Sequence, residues 1–366
     1  MSGPPPRVPD GREVADYDYP LPAGRVARYP TDRRDGSRLL VLDRQGGTLA
    51  HQVFGDVEGL FEPGDLLVVN ESRVMPARLL GAKPTGAPAE ILLLRPAPGD
   101  DATGDAGDWS RGGSLWEALV RPGGKLKPGR TVVVSSELEV EVVDGLPGGG
   151  RLVRLVTDLA PLDAIERFGH VPLPPYMERA DEALDRDRYQ TVYARAPGSV
   201  AAPTAGLHFT TELLNRIEEA GVRRAAVTLH VGPGTFRPVE VEDPAEHHMH
   251  TELTHVSAET CEAIRATRSG GGRVWAVGTT VVRTLESRAA EDGSVSPGPG
   301  ATDLFIRPPY RFRVIDALLT NFHLPRSTLL MLVAAFGGYE NVMAAYREAI
   351  AGGYRFYSYG DAMAVV

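Results

Sequence analysis

In 366 residues there is one cysteine, Cys261, which excludes an intramolecular disulfide and a cysteine-built zinc site. A small buried apolar role is left for it. No run approaches 18 consecutive apolar residues, so no membrane-spanning helix is expected. The first residues, MSGPPPRVPDGRE, carry proline and charge where a secretory signal needs an apolar core, so a cytoplasmic location is expected. The phosphate loop G-x-x-x-x-G-K-[ST], the dinucleotide fingerprint G-x-G-x-x-G and the hydrolase elbow G-x-S-x-G are all missing. Nor is there a surplus of cations: 39 Lys and Arg against 48 Asp and Glu give a net charge of -9. Generic affinity for nucleic acid is therefore not expected, because phosphate binding needs cations that displace counterions. No internal repeat of fixed period is visible either, which sets solenoids and propellers aside.

What is present is an ordinary globular composition, long enough for two cores. Residues 1–14, rich in proline and without periodicity, read as a flexible tail. Over 59–156 short β-rich runs (LLVVN, AEILLL, WEALVRP, RTVVVS, LEVEVVD, RLVRLV) follow one another between Gly/Pro turns, the pattern of a small antiparallel barrel. Within it the acidic, glycine-rich stretch 96–114 reads as a disordered loop. Beyond it strands alternate with helices. Thr210 and Thr211 can cap a helix over TELLNRIEEA, VWAV and Gly278-Thr279-Thr280 form a strand and a turn into a second helix, and Ser327 opens an apolar third. Because SRLLVLDR (37–44) also reads as a strand, residues 15–58 and 157–366 are expected to form one discontinuous catalytic domain. The fold class is then a mixed α/β domain interrupted by an inserted antiparallel β-barrel domain.

Polar residues crowd the strand-to-loop junctions of the second half, where ligands of open α/β sheets bind. Thr204, Gly206 and His208 lie in one such segment, and His230, Gly232 and Gly234 in another. Each joins glycines, which let backbone approach a ligand, to a histidine that can titrate near neutrality. His248, His250 and Glu252 recur with period two and would share one strand face. Two histidines and a carboxylate can bind iron or zinc, and the same groups can serve as acid, base and hydroxyl partners without metal; the spacing does not choose. Thr279 and Thr280, opening a helix, suit an anionic ligand edge, with Arg283 one turn further along. Its alternative is a salt bridge to Glu286. Asn321 and His323 precede the apolar helix, and Tyr357 sits in the aromatic segment YRFYSYGDAM, which suits base stacking or a buried strand equally.

Eight blocks together are more specific than any one: GDLLVVNESRVMPARLLG, GHVPLPPYMER, RYQTVYARAPGSVAAPTAGLHFT, VTLHVGPGTFRPV, HHMHTE, AVGTTVVRTLES, LLTNFHLPRSTLLMLVAAF and YRFYSYGDAM. In this order they resemble the S-adenosylmethionine:tRNA ribosyltransferase-isomerase family of queuosine biosynthesis, over residues 37–366. Departures are Glu71 where Asp is commoner, Pro309 for a Gly, and the long 96–114 stretch. The resemblance implies transfer of the ribosyl part of S-adenosylmethionine to 7-aminomethyl-7-deazaguanine at the tRNA wobble position, giving epoxyqueuosine, adenine and methionine. It further implies a monomer, no metal, and no cofactor beyond S-adenosylmethionine as co-substrate. His208, His230, His248, His250 and His323 are then the acid/base candidates, with Asp243, Glu252 and Asp361 as orienting carboxylates. Thr204, Gly206, Gly232, Gly234, Thr279, Thr280, Arg283, Asn321 and Tyr357 are the substrate-binding candidates. For tRNA, Arg121, Lys125, Lys127 and Arg130 fall in a run without acid, and with Arg73 and Arg78 they would grip the anticodon arm. A solvated loop is the plain alternative for that run.

Overall fold

A computed structural model describes residues 9–97, 113–232, 239 and 241–366. In chain order the strands of the first part are β1 (Arg38–Leu42), β2 (Leu49–Val53), β3 (Leu66–Asn70), β4 (Ser72–Val74), β5 (Arg78–Ala82), β6 (Pro88–Pro96), β7 (Leu115–Arg121), β8 (Thr131–Ser135), β9 (Leu138–Gly145) and β10 (Arg151–Val156). Helices α1 (Pro161–Phe168) and α2 (Asp185–Arg188), strand β11 (Ala196–Ser199), α3 (Thr211–Glu219), β12 (Arg223–Leu229) and β13 (Glu252–Val256) follow. The last part is α4 (Ala258–Ser269), β14 (Val274–Val277), α5 (Thr279–Glu286), β15 (Gly298–Thr302), β16 (Ala317–Asn321), α6 (Thr328–Gly337), α7 (Tyr339–Ala351) and β17 (Ala362–Val365).

The chain divides into two compact units, one of Met1–Glu71, Pro203–Leu229 and Pro233–Val366, the other of Ser72–Ala202 with His230–Gly232. The first is built on a nine-stranded sheet in the order β15-β13-β12-β3-β14-β16-β17-β1-β2. Its centre, β12, β3, β14 and β16, is parallel, so these four strands end at one edge. Residues Leu66–Asn70 are buried without a break, as a strand covered on both faces must be. That corrects the reading of LLVVN as a barrel strand: a continuous apolar run marks a central parallel strand, whereas barrel strands alternate. Helix α3 starts at Thr210, whose side chain accepts from Leu213 N at 3.1 Å, and α6 starts at Ser327, which accepts from Leu330 N at 3.2 Å. No single described helix is long and apolar enough to cross a membrane; α6 and α7 pass that test only as a pair bent by 116°.

The second unit holds a closed barrel, β10-β7-β6-β5-β8-β9. Its strands alternate, and the inward set, Leu79, Ile91, Leu93, Trp116, Val132, Val140 and Val153, forms a core that Ala164 and Ile165 of α1 complete. Gly81 is required where β5 meets β8, since a Cβ there would lie 2.4 Å from the Val133 carbonyl. Residues 157–202, expected with the catalytic domain, group with the barrel instead. The 98–112 part of the expected loop and residues 1–8 of the expected tail lie outside the described residues. The rest of that tail is anchored: Tyr17 donates to the Gly11 carbonyl at 2.8 Å, and Val14 is fully buried. Cys261 on α4 is half-buried rather than enclosed.

Candidate active site at the carboxyl ends of the parallel strands

Asn70 ends β3 and locks β12 beside it, accepting from Leu229 N at 3.1 Å and donating to Leu229 O at 3.0 Å. Its amide also reaches Thr280 Oγ1 at 3.4 Å. Thr280 lies on the first turn of α5, entered from β14 through Gly278, whose φ of 91° a residue with a Cβ adopts only with strain. No side chain among the described residues caps α5, and Val281 N and Val282 N bond to the Gly278 carbonyl, which leaves the Thr279 and Thr280 amides for a ligand. Gly278 also abuts Ala205, in the 3-10 turn Thr204–His208.

From that turn His208 packs flat on Phe54, with ring centroids 4.9 Å apart. Asn321, the last residue of β16, donates its amide to His208 Nε2 at 3.0 Å and to Tyr357 O at 3.1 Å. An amide donor makes Nε2 the acceptor, so His208 carries its proton on Nδ1 and gives it to Ser37 Oγ at 2.6 Å. Burial, with Arg355 and Arg34 adding to it, pushes the ring down to about 3. Both nitrogens are thus used in a neutral ring, the arrangement of a positioning group rather than a proton donor. Asn321 cannot turn over without setting its oxygen against a lone pair and a carbonyl, and its Oδ1 is buried with no partner among the described residues. His323 is likewise pushed down to about 3 by burial, its Nε2 paired with Thr320 Oγ1 at 2.8 Å.

A second buried pair flanks α5. Arg283 and Glu252 are 3% and 7% exposed and in direct contact. Arg283 also donates to the Leu304 carbonyl at 3.2 Å, and its Nη2 is buried without a partner among the described residues. Glu286, the expected partner, instead accepts from the backbone of Arg313, Val314 and Ile315 at 3.0 to 3.4 Å.

The structure therefore brings together Thr204, Gly206, His208, Thr279, Thr280, Asn321 and Tyr357, and places other candidates elsewhere. His248 and His250 are exposed and precede β13, which begins only at Glu252; they share no strand face with it, and the two-histidine, one-carboxylate arrangement is not assembled. His248 Nδ1 pairs with the Glu246 carbonyl at 3.0 Å. The Asp243 carboxylate caps the turn Pro244–Glu246 at 2.8 Å, and Asp361 accepts from Arg38 N and Arg355 N, so neither orients a histidine. His230, pushed down to about 4 by burial, and Gly232 group with the barrel unit. Gly234 lies outside the described residues.

On the barrel, Arg121, Lys125, Lys127 and Arg130 are all exposed, as is Arg73 on β4. Arg78 differs: Glu90 neutralises it at 3.0 Å. Sequence reasoning missed Asn70, Ser37 and Phe54; only Asn70, closing an apolar run, left a signal.

The family model described as "Queuosine biosynthesis protein" matches residues 14–365. A curated S-adenosylmethionine:tRNA ribosyltransferase-isomerase from Symbiobacterium thermophilum is 52% identical over 96% of this chain and 99% of its own. The chain belongs to this family. A relative of the same name from Pelobacter propionicus is 51% identical over 96% of this chain and 98% of its own. A crystal structure of an S-adenosylmethionine tRNA ribosyltransferase from Thermotoga maritima is 38% identical, covers 96% of this chain and 99% of its own, and superposes with a TM-score of 0.53. The resemblance noted from the eight blocks is thus borne out, and with it the mixed α/β fold carrying a barrel.

Proposed function

We propose that the chain transfers the ribosyl part of S-adenosylmethionine to 7-aminomethyl-7-deazaguanine at the wobble position of tRNA, with isomerisation to epoxyqueuosine and release of adenine and methionine. It works as a monomer in the cytosol, without metal or further cofactor. The observation that carries this reading is the extent of the family match, which leaves out neither the strand-edge site nor the barrel.

The chemistry sets what the site must supply. The sulfonium acidifies the adjacent ribose methylene, a base removes its proton, and the sugar opens with loss of adenine. The amine then attacks, and methionine leaves as the ring rebuilds. The uncapped amides of α5 with Thr279 and Thr280 suit the methionine carboxylate. The Asn321 Oδ1, an acceptor fixed in place, suits an N–H or O–H of the nucleoside. His208 and His323, neutral and buried, position this wall. Proton transfer falls to the exposed candidates, His248 and His250, since His230 is held neutral by burial as His208 and His323 are. The exposed cations Arg73, Arg121, Lys125, Lys127 and Arg130 hold the anticodon arm by its phosphates.

The deciding assay is release of adenine from S-adenosylmethionine with tRNA bearing the deazaguanine. Release that requires both substrates and survives chelation is the expected result. No release from folded protein, or activity lost with a stoichiometric metal on chelation, would overturn the proposal.

A further inference from the structure

One arginine on the barrel has an arrangement that its sequence neighbours do not announce. Arg151, the first residue of β10, donates four hydrogen bonds to main-chain carbonyls: Nε to Leu126 at 3.0 Å, Nη2 to Gly123 at 2.9 Å, and Nη1 to Gly149 at 2.9 Å and Gly150 at 2.8 Å. These carbonyls come from two segments, the loop between β7 and β8 and the turn between β9 and β10. No carboxylate pairs with Arg151 among the described residues, whereas Arg78, Arg95 and Arg154 on the barrel wall pair with Glu90, Glu117 and Glu141. The guanidinium therefore spends its geometry on neutral oxygens and keeps its charge.

The loop it fastens is the one that carries Arg121, Lys125, Lys127 and Arg130, exposed and without an ion pair among the described residues. Leu126, in their midst, is fully buried and pins the loop from below. Gly129 N bonds to the Val142 carbonyl and Val142 N to the Arg130 carbonyl, each at 2.8 Å. A loop whose only task was to join two strands needs no charged clamp.

We propose that Arg151 is a positioning residue for RNA, which fixes the two segments as one cationic platform for the phosphates of the tRNA backbone. The idea rests on the tRNA reading above and deepens it. Its physical basis is preorganisation: a loop already ordered in the free protein loses little conformational freedom when phosphates dock. Lysine cannot replace Arg151, because an ammonium offers three donors from one point and cannot span carbonyls on two segments.

The test compares R151K and R151Q with wild type in binding an unmodified tRNA transcript at several salt concentrations, alone and in the background K125Q/K127Q/R130Q. The triple variant should flatten the salt dependence by about 0.9 for each phosphate that is no longer neutralised. Both Arg151 variants should bind about tenfold more weakly in the wild-type background, and should add little in the triple background, where Arg121 is the one cation of the four that remains. Affinity for S-adenosylmethionine should stay unchanged throughout. Wild-type affinity in R151K, or an equal loss in both backgrounds, would overturn the proposal; the second outcome would mark Arg151 as a general stabiliser of the barrel. If R151Q does not fold, R151K, which keeps the charge, decides alone. Failure of wild type to release adenine would count against the functional reading and leave this binding result standing.

Discussion

The two edges of the parallel strands in the first unit are built on opposite principles. At the amino edge Asp65, 1% exposed, takes Arg273 Nη2 at 2.7 Å, Trp275 Nε1 at 2.9 Å and the backbone N–H groups of Arg273 and Glu62 at 2.9 and 3.0 Å. Burial alone would raise its carboxyl, but these hydrogen bonds outweigh that and hold it below the usual carboxylate range. At the carboxyl edge the polar groups are just as buried, yet Asn321 Oδ1 is left without a partner among the described residues. Polar burial that is fully answered stabilises a fold, while burial left open costs stability and is tolerated where something is to be bound.

Breaking the amino edge should have the largest effect. Asp65→Ala leaves Trp275 Nε1 and the backbone N–H groups of Arg273 and Glu62 without their acceptor, with Arg273 keeping Glu62 at 3.5 Å, and should lower the unfolding free energy by about 3 kcal/mol while turnover per folded molecule stays near wild type. Urea unfolding and activity on the same samples would check this; a loss of turnover beyond the unfolded fraction would erase the contrast between the edges. Acid should act next, and through the other edge. His208 is held near 3 in the fold against an ordinary value of about 6.5, so its contribution is complete above pH 6.5 and is lost as pH falls toward 3. From pH 6.5 to 5 one such proton removes up to about 2 kcal/mol. In His208→Gln the unfolding midpoint should depend less steeply on pH over that window, and an unaltered slope would contradict the neutral ring. The smallest effect is expected from Thr280→Val. It gives up one long hydrogen bond to Asn70, so stability should change by less than about 1 kcal/mol, while calorimetry should show affinity for S-adenosylmethionine falling about tenfold. Unchanged affinity would remove Thr280 from the site.

Local signals carried most of the architecture. Thr210, Gly278 and Ser327 mark helix starts because capping is decided by the residue itself and its next three or four neighbours. Partners brought together by the fold were less visible. Glu286 is the right spacing from Arg283 for a helical ion pair, yet Glu252 from β13 wins, and nothing local announces that. The same limit hid the Ser37 to His208 bond, which joins residues 171 apart, and the burial of His208 and His323 among their partners. The shared strand face expected of His248, His250 and Glu252 failed for another reason: period two is a strand signal only if a strand is there, and β13 starts two residues after His250.

β17 runs between β16 and β1 in the interior of the nine-stranded sheet, with every residue buried. Arg38 N, at the start of β1, bonds to Asp361 across 323 residues. Strand β1, with Leu39 and Leu40 fully buried in the finished fold, can pair early only with β2. During synthesis its other flank remains an open apolar edge while more than three hundred residues are added, the condition under which nascent chains attract chaperones or pair with one another. Refolding should be slow for the same reason, since closing so long a loop precedes any gain from the contacts it allows.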